Sequence, residues 1–159
     1  MSPYKCITNI KIKPFSIEYR DNLIDVIFDA YSRYPEYGET SSKRAKKYLN
    51  WLKNHSTMFD VVFVDNETAG FIVVDTNWIS LRGEKVGEIH ELAIKEKYWG
   101  HGLGKLLMER AINHIKNSGL KKAGLWVGEK NREAIEFYRK FKFKPVTKYN
   151  QWLRMERSL

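Results

Sequence analysis

Isoleucines alternate with lysines from Asn9 to Lys13, which predicts a short strand ending before Pro14, and Ser16 then suits a helix N-cap. Leu23, Ile24, Ile27, Phe28 and Tyr31 recur at three- and four-residue intervals and predict one apolar helix face. Tyr34-Pro35-Glu36-Tyr37-Gly38 breaks that helix, and a second one is expected from about Ser41 to Asn54, with Ala45, Tyr48, Leu49 and Leu52 inward. The period then changes. Val61–Asp65 and Gly70–Trp78 are β-branched and aromatic runs, with Asn66-Glu67-Thr68 between them as the expected hairpin turn. Lys85–Ile94 reads as another strand and leads to the glycine-rich turn Gly100-His101-Gly102-Leu103-Gly104. That turn opens a helix in which Leu103, Leu107, Ala111 and Ile115 repeat every four residues, closed at Asn117-Ser118-Gly119. Ala123–Gly128 is a strand, Asn131 caps a helix running to about Phe141, and Phe143–Lys148 and Gln151–Glu156 close the chain as strands. This order predicts an α/β fold, largely antiparallel in its first half and with helix crossovers later.

The chain has 159 residues, 43% apolar and 30% charged, which suits one compact domain over residues 1–159. Its eight Phe, nine Tyr and five Trp supply bulky core side chains, so disorder is not expected. The lone Cys6 excludes an internal disulfide framework and a Cys-rich zinc site, and no metal is expected; a reducing, cytoplasmic setting fits, with Cys6 inert near the terminus. No apolar run reaches the length of a membrane span or a signal peptide, so no membrane partner is expected. The net charge of +9 is uneven. Residues 1–94 hold 12 Lys or Arg against 13 Asp or Glu, whereas residues 95–159 hold 16 against 6. All of the excess positive charge lies in the second part, which points to an anionic partner there: a nucleic acid, an acidic membrane surface or a phosphorylated cofactor. A solvated lysine-rich surface is the alternative.

A strand that runs into closely spaced glycines and then a helix can cradle an anion, because the amides of the first helical turn point at bound oxygens. Two nucleotide-binding patterns fail on spacing. A phosphate-binding P-loop needs Gly where Trp99 stands and Ser or Thr where Leu106 stands; a dinucleotide fingerprint needs its third Gly at Lys105 or Leu107.

The segment Glu88-Ile89-His90-Glu91-Leu92-Ala93-Ile94, the loop Trp99 to Lys105, and the helix Asn131-Arg132-Glu133-Ala134-Ile135-Glu136-Phe137-Tyr138 together resemble the GNAT superfamily of N-acetyltransferases. The resemblance is specific over about residues 85–145 and elsewhere rests on element order. It implies a mixed, mostly antiparallel sheet of about six to seven strands, splayed in the middle and flanked by about four helices. It also implies an acetyl-CoA-dependent transfer of an acetyl group to a primary amine, directly in a ternary complex, with acetyl-CoA as cosubstrate. The cofactor site would comprise the backbone of Leu92, Ala93 and Ile94, the loop Trp99, Gly100, His101, Gly102, Leu103, Gly104 and Lys105, and Asn131 and Tyr138. Trp99 departs from the family's Arg or Gln and removes a polar contact at the loop start. Lys142 departs from a frequent Gly, and a left-handed turn there would strain it mildly.

For chemistry, an amine of pKa about 10.4 must lose a proton. Glu88 is the first candidate base and Glu91 the second; in a regular strand the two face opposite sides unless a bulge intervenes. His90 shares the face of Glu88, and Tyr138 resembles the family's general acid for the departing thiolate. Tyr31, Tyr34 and Glu36, with Tyr37 and Glu39 beside them, are expected to wall the acceptor, their carboxylates and rings suiting a cation. The acceptor is a protein, peptide or small-molecule amine, and the oligomeric state is open, a homodimer included. Two other readings stand beside this one. One is a basic nucleic-acid-binding module using Lys121, Lys122, Lys130, Arg132, Arg139, Lys140, Lys142 and Lys144, although no nucleic-acid motif is present. The other is a GNAT domain that binds coenzyme A without catalysis.

Overall fold

The computed structural model describes residues 9–159, so Cys6 lies outside the described residues. Seven strands form one sheet in the order β1-β2-β3-β4-β5-β7-β6. The strands are β1 (Ile10–Pro14), β2 (Met58–Val64), β3 (Glu67–Ile79), β4 (Lys85–Ile94), β5 (Lys122–Gly128), β6 (Lys144–Tyr149) and β7 (Trp152–Ser158). All neighbours pair antiparallel except β4 and β5, which are parallel. The helices are α1 (Arg20–Ala30), α2 (Ser42–Asn54), α3 (Leu103–Asn117) and α4 (Arg132–Lys140). No described helix is long and apolar enough to cross a membrane.

The sheet divides two cores. On one face α1 and α2 bury Leu23, Ile27, Leu49 and Leu52 against Phe71, Val73 and Ala93. On the other, Leu103, Leu107, Ala111 and Ile115 of α3 pack with Ile72, Ile89, Leu125 and Met155. Each Leu, Ile, Val, Phe or Met among them contributes about 1.5–3 kcal/mol on burial, so packing rather than propensity stabilises a helix as short as α1.

Several local expectations are corrected. Ser16 makes no side-chain cap; it precedes a 3₁₀ turn at Ile17–Tyr19, and α1 begins at Arg20. Phe28 is exposed and Val26 is buried in its place. The β2–β3 turn is Asp65-Asn66, both at positive φ (49° and 66°), with Val64 already paired to Glu67. That geometry is the two-residue hairpin turn whose twist matches the strands, and Asp and Asn tolerate it. By contrast, the expected left-handed residue at Lys142 is present at φ 69°. There the Phe143 amide donates to the Tyr138 carbonyl and the Lys142 amide to Arg139, closing α4 in a Schellman motif.

Two irregularities shape the middle of the sheet. β4 and β5 pair only at Gly87–Ala123 and Glu88–Gly124, then separate. Against β3, Glu91 lies opposite Val73 and Ile89 opposite Val74, so His90 is an extra residue in β4.

Candidate active site

The wedge where β4 leaves β5 opens into a cavity of about 820 Å³ that runs from the glycine loop to the α1–α2 connection. At its loop end, Gly100 and Gly102 sit at φ 79° and 84°, and a Cβ at either would meet nothing within 4 Å. Those angles favour glycine, and the space beside them is open. Within α3 the Leu106 amide is the first to donate, to the Gly102 carbonyl at 3.0 Å, so the amides of Leu103, Gly104 and Lys105 point out of the helix end. This concave, glycine-lined rim of N–H groups fits a pyrophosphate, so the residues present suit coenzyme A. Gly104 packs close to Phe137 of α4, where a Cβ would come within 3.1 Å of the ring.

Of the residues expected at the cofactor, Leu92, Ala93, Ile94, Trp99 and Gly100 line the wall, as do Gly102, Leu103, Gly104, Lys105, Asn131 and Tyr138. His101 does not; the chain turns at the two left-handed glycines that flank it, and the position falls outside the wall. Asn131 also acts as a helix cap, its Oδ1 accepting from the Ala134 amide at 3.2 Å. Trp99, in place of a polar loop residue, donates its indole N–H to the Ile94 carbonyl at 2.7 Å and carries the Arg33 guanidinium 5.2 Å from its ring centroid. The loop start is thereby tied to the end of β4.

The bulge decides which carboxylate reaches the cavity. Gly87 presents its α-carbon to Ile115 of α3, so Glu88 faces the other side, and the extra residue at His90 brings Glu91 to that same side. Glu91 lies on the cavity wall and accepts from the hydroxyls of Tyr31 and Tyr48, each at 2.5 Å. Burial raises its carboxyl above the usual range, and the two hydroxyls draw it part of the way back. Glu88, expected first as the base, is off the wall and 2% exposed. Arg154 of β7 covers it: Nη1 donates to Glu88 Oε1 at 2.5 Å and Nε to Glu156 Oε2 at 3.2 Å. Burial also raises Glu88, against the pull of Arg154.

His90 lines the cavity, its Nε2 3.2 Å from Asp75 Oδ2 and its ring edge-on to Trp51 and Trp78. Burial lowers its pKa, which Asp75 partly offsets, so it is neutral near pH 7. The Tyr138 hydroxyl has no hydrogen-bond partner among the described residues. Burial, with the Glu91 charge second, raises its pKa well above that of a free tyrosine, so it holds its proton.

At the acceptor end, Tyr31 and Tyr34 lie on the wall and Glu36 does not. Glu36 is exposed on the 3₁₀ turn Pro35–Tyr37, and Glu39, one turn on, takes the inward place. Tyr34 donates to Glu133 of α4 at 2.8 Å, and Arg33 bonds Glu96 and Glu133, which pins the α1–α2 connection over the cavity. Tyr48, read from sequence as core, and Trp126, Trp152 and Tyr149 complete this end. Single aromatic residues on three different strands carry no sign of facing one cavity, so only Tyr48's hydroxyl on an otherwise apolar helix face hinted at it. Of the basic residues weighed as a nucleic-acid face, Lys122 pairs with Glu84 and Glu156 and Arg139 with Glu136. Among the described residues no three His, Cys, Asp or Glu side chains are grouped so as to hold a metal ion.

The model of the acetyltransferase (GNAT) family matches residues 24–143. A protein of Methanocaldococcus jannaschii named as an uncharacterized N-acetyltransferase is 33% identical over 161 residues, covering 100% of this chain and 71% of its own length. A crystal structure of a Pyrococcus horikoshii protein superposes with a TM-score of 0.85 at 34% identity, covering 95% of this chain and 99% of that one. The PaiA N-acetyltransferase of Thermoplasma acidophilum, solved with coenzyme A, shares the fold at 23% identity with a TM-score of 0.78, covering 96% and 100%.

Proposed function

The chain belongs to the acetyltransferase (GNAT) family and is an N-acetyltransferase, and from this premise we propose that it transfers the acetyl group of acetyl-CoA directly to a primary amine in a ternary complex. The observation that carries this reading is one cavity lined at one end by the glycine loop and the start of α3, and at the other by Glu91 with its two tyrosines. Acetyl-CoA supplies an acetyl group activated as a thioester. The amides of Leu103, Gly104 and Lys105 would hold its diphosphate, and the edge of β4 at Leu92–Ile94, which no strand pairs on the β5 side, would align its arm as a neighbouring strand does. Glu91, joined to Tyr31 and Tyr48, draws the proton from the incoming ammonium so that a neutral amine attacks. Tyr138, which stays protonated, donates to the sulfur that departs. No Ser or Cys stands among the described residues that line the cavity, which fits direct transfer without a covalent acyl-enzyme.

Calorimetry with acetyl-CoA, at low and raised salt, tests the binding half: a salt-weakened complex is expected, and no binding at low salt refutes the reading. Thiol release on adding primary amines tests the transfer half, and release that no amine stimulates refutes it.

A further inference from the structure

Charge is unevenly placed around the cavity. Glu39 and Glu91 lie on the acceptor wall, whereas Lys105, at the glycine-loop end, is the only Lys or Arg on the wall among the described residues. Glu91 is occupied by Tyr31 and Tyr48. Glu39 is half-buried and makes no hydrogen bond or ion pair among the described residues. The guanidinium groups that approach wall rings are already held, Arg33 by Glu96 and Glu133 and Arg154 by Glu88 and Glu156. An acceptor carboxylate would therefore meet two like charges and no free cation, while an acceptor cation would find an unpaired carboxylate among aromatic rings.

The reacting amine cannot be that cation. It must be neutral when it attacks, so an attraction between it and Glu39 would fade in the transition state. A second charge on the same molecule keeps the attraction. The space is walled as well: Tyr37 lies 5.2 Å from the Trp152 ring and covers Gly128, so the α1–α2 connection packs onto the start of β7 and closes in the acceptor end.

We propose that the acceptor is a small diamine-like molecule without a carboxylate, one amine reacting near Glu91 while the other, still charged, is held by Glu39. The proposal rests on the acetyl-transfer reading above and names its substrate class. It is tested by thiol release with putrescine, cadaverine, pentylamine, free lysine and a short lysine-containing peptide, in the wild type and in Glu39→Gln, with acetyl-CoA binding measured in parallel. The better diamine should exceed pentylamine, lysine and the peptide by about tenfold or more in kcat/KM. Glu39→Gln should cut the advantage over pentylamine to about threefold or less, through KM, with acetyl-CoA affinity unchanged. Lysine, peptide or pentylamine matching the diamines overturns the proposal, as does an unaltered ratio in Glu39→Gln. If no amine is turned over, the proposal falls, and retained acetyl-CoA binding then separates that failure from failure of the binding half of the reading. The wild-type comparison stands even if the variant does not fold.

Discussion

In Glu88→Gln, the group that accepts from Arg154 Nη1 at 2.5 Å keeps its volume and loses its charge. Removing one partner of a buried ion pair costs about 3–5 kcal/mol when nothing else compensates. Two features lower that figure here. Arg154 keeps Glu156 at 3.2 Å, and burial already holds the Glu88 carboxyl above its usual range, so losing the charge also removes a desolvation penalty. The expected loss is about 2 kcal/mol, which lowers the Tm of a chain of this size by about 4–8 °C. Arg154→Met should be worse, about 3–5 kcal/mol, because it leaves Glu88 and Glu156 together with only Arg82 and Lys122 nearby, both at Glu156. With Arg154 gone, the Glu88 carboxyl loses the charge that draws it down and is raised further in the folded state. A group raised in this way costs stability once the pH exceeds its unfolded value, so the Arg154→Met deficit should shrink as the pH falls from neutrality toward about 4 to 5. Thermal melts at pH 5 and 7.5, paired with pH–rate profiles, read both effects. Glu88→Gln should keep the wild-type kcat profile, whereas Glu91→Gln should lose about 10²-fold in kcat and flatten the acid limb, which in the wild type lies above the ordinary carboxylate range. A Glu88→Gln variant with an unchanged melt and a 10²-fold loss of kcat would return the base to Glu88 and undo this assignment.

Three further outcomes are expected. Tyr138→Phe should lower kcat by about 10²- to 10³-fold with acetyl-CoA binding by calorimetry unchanged, and the wild type should show no basic limb from this group below about pH 10, since burial keeps it protonated. Gly102→Ala forces a side chain to φ 84° at about 1–2 kcal/mol and sets its Cβ in the open cradle, so KM for acetyl-CoA should rise about tenfold with kcat at saturation preserved. Lys142→Gly relieves the left-handed residue that closes α4, and the melt should rise by about 2–4 °C with saturated turnover unchanged.

What the sequence made legible were features in which one residue type meets one backbone demand. Glycines 100 and 102 meet positive φ, Asn131 caps α4, and Lys142 occupies the strained turn. The four-residue repeat of Leu103, Leu107, Ala111 and Ile115 likewise has one packing solution, and all four are buried. Less legible was whatever depended on strand facing. Alternation presumes a regular strand, and the one added residue at His90 reverses the parity of all that follows it in β4. Arg154 was invisible for a related reason: a charged residue in a terminal strand reads as solvated, yet it is 3% exposed because Glu88 reaches it from across the splay. Glu36 and Glu39 could not be ranked from sequence, because the 3₁₀ turn that carries Glu36 decides which of the two faces inward.

The bulge and the splay act together. Were β4 regular past Ile89, Glu91 would project toward α3 into a largely apolar cluster, where an unpaired carboxylate costs several kcal/mol, and away from the hydroxyls of Tyr31 and Tyr48. Shifting it by one residue sets it instead between Tyr31 and Tyr48, and leaves Leu92 and Ile94 to fill the α3 side. Beyond Glu88, β4 has no strand beside it on the β5 side, so no strand ladder covers that edge where the cavity opens, although the Ile94 carbonyl accepts from the Trp99 indole. An edge of this kind offers its remaining backbone groups to an extended, hydrogen-bonding ligand. The same departure from regular pairing therefore opens a place for a strand-like ligand and aims an acid–base group at its end.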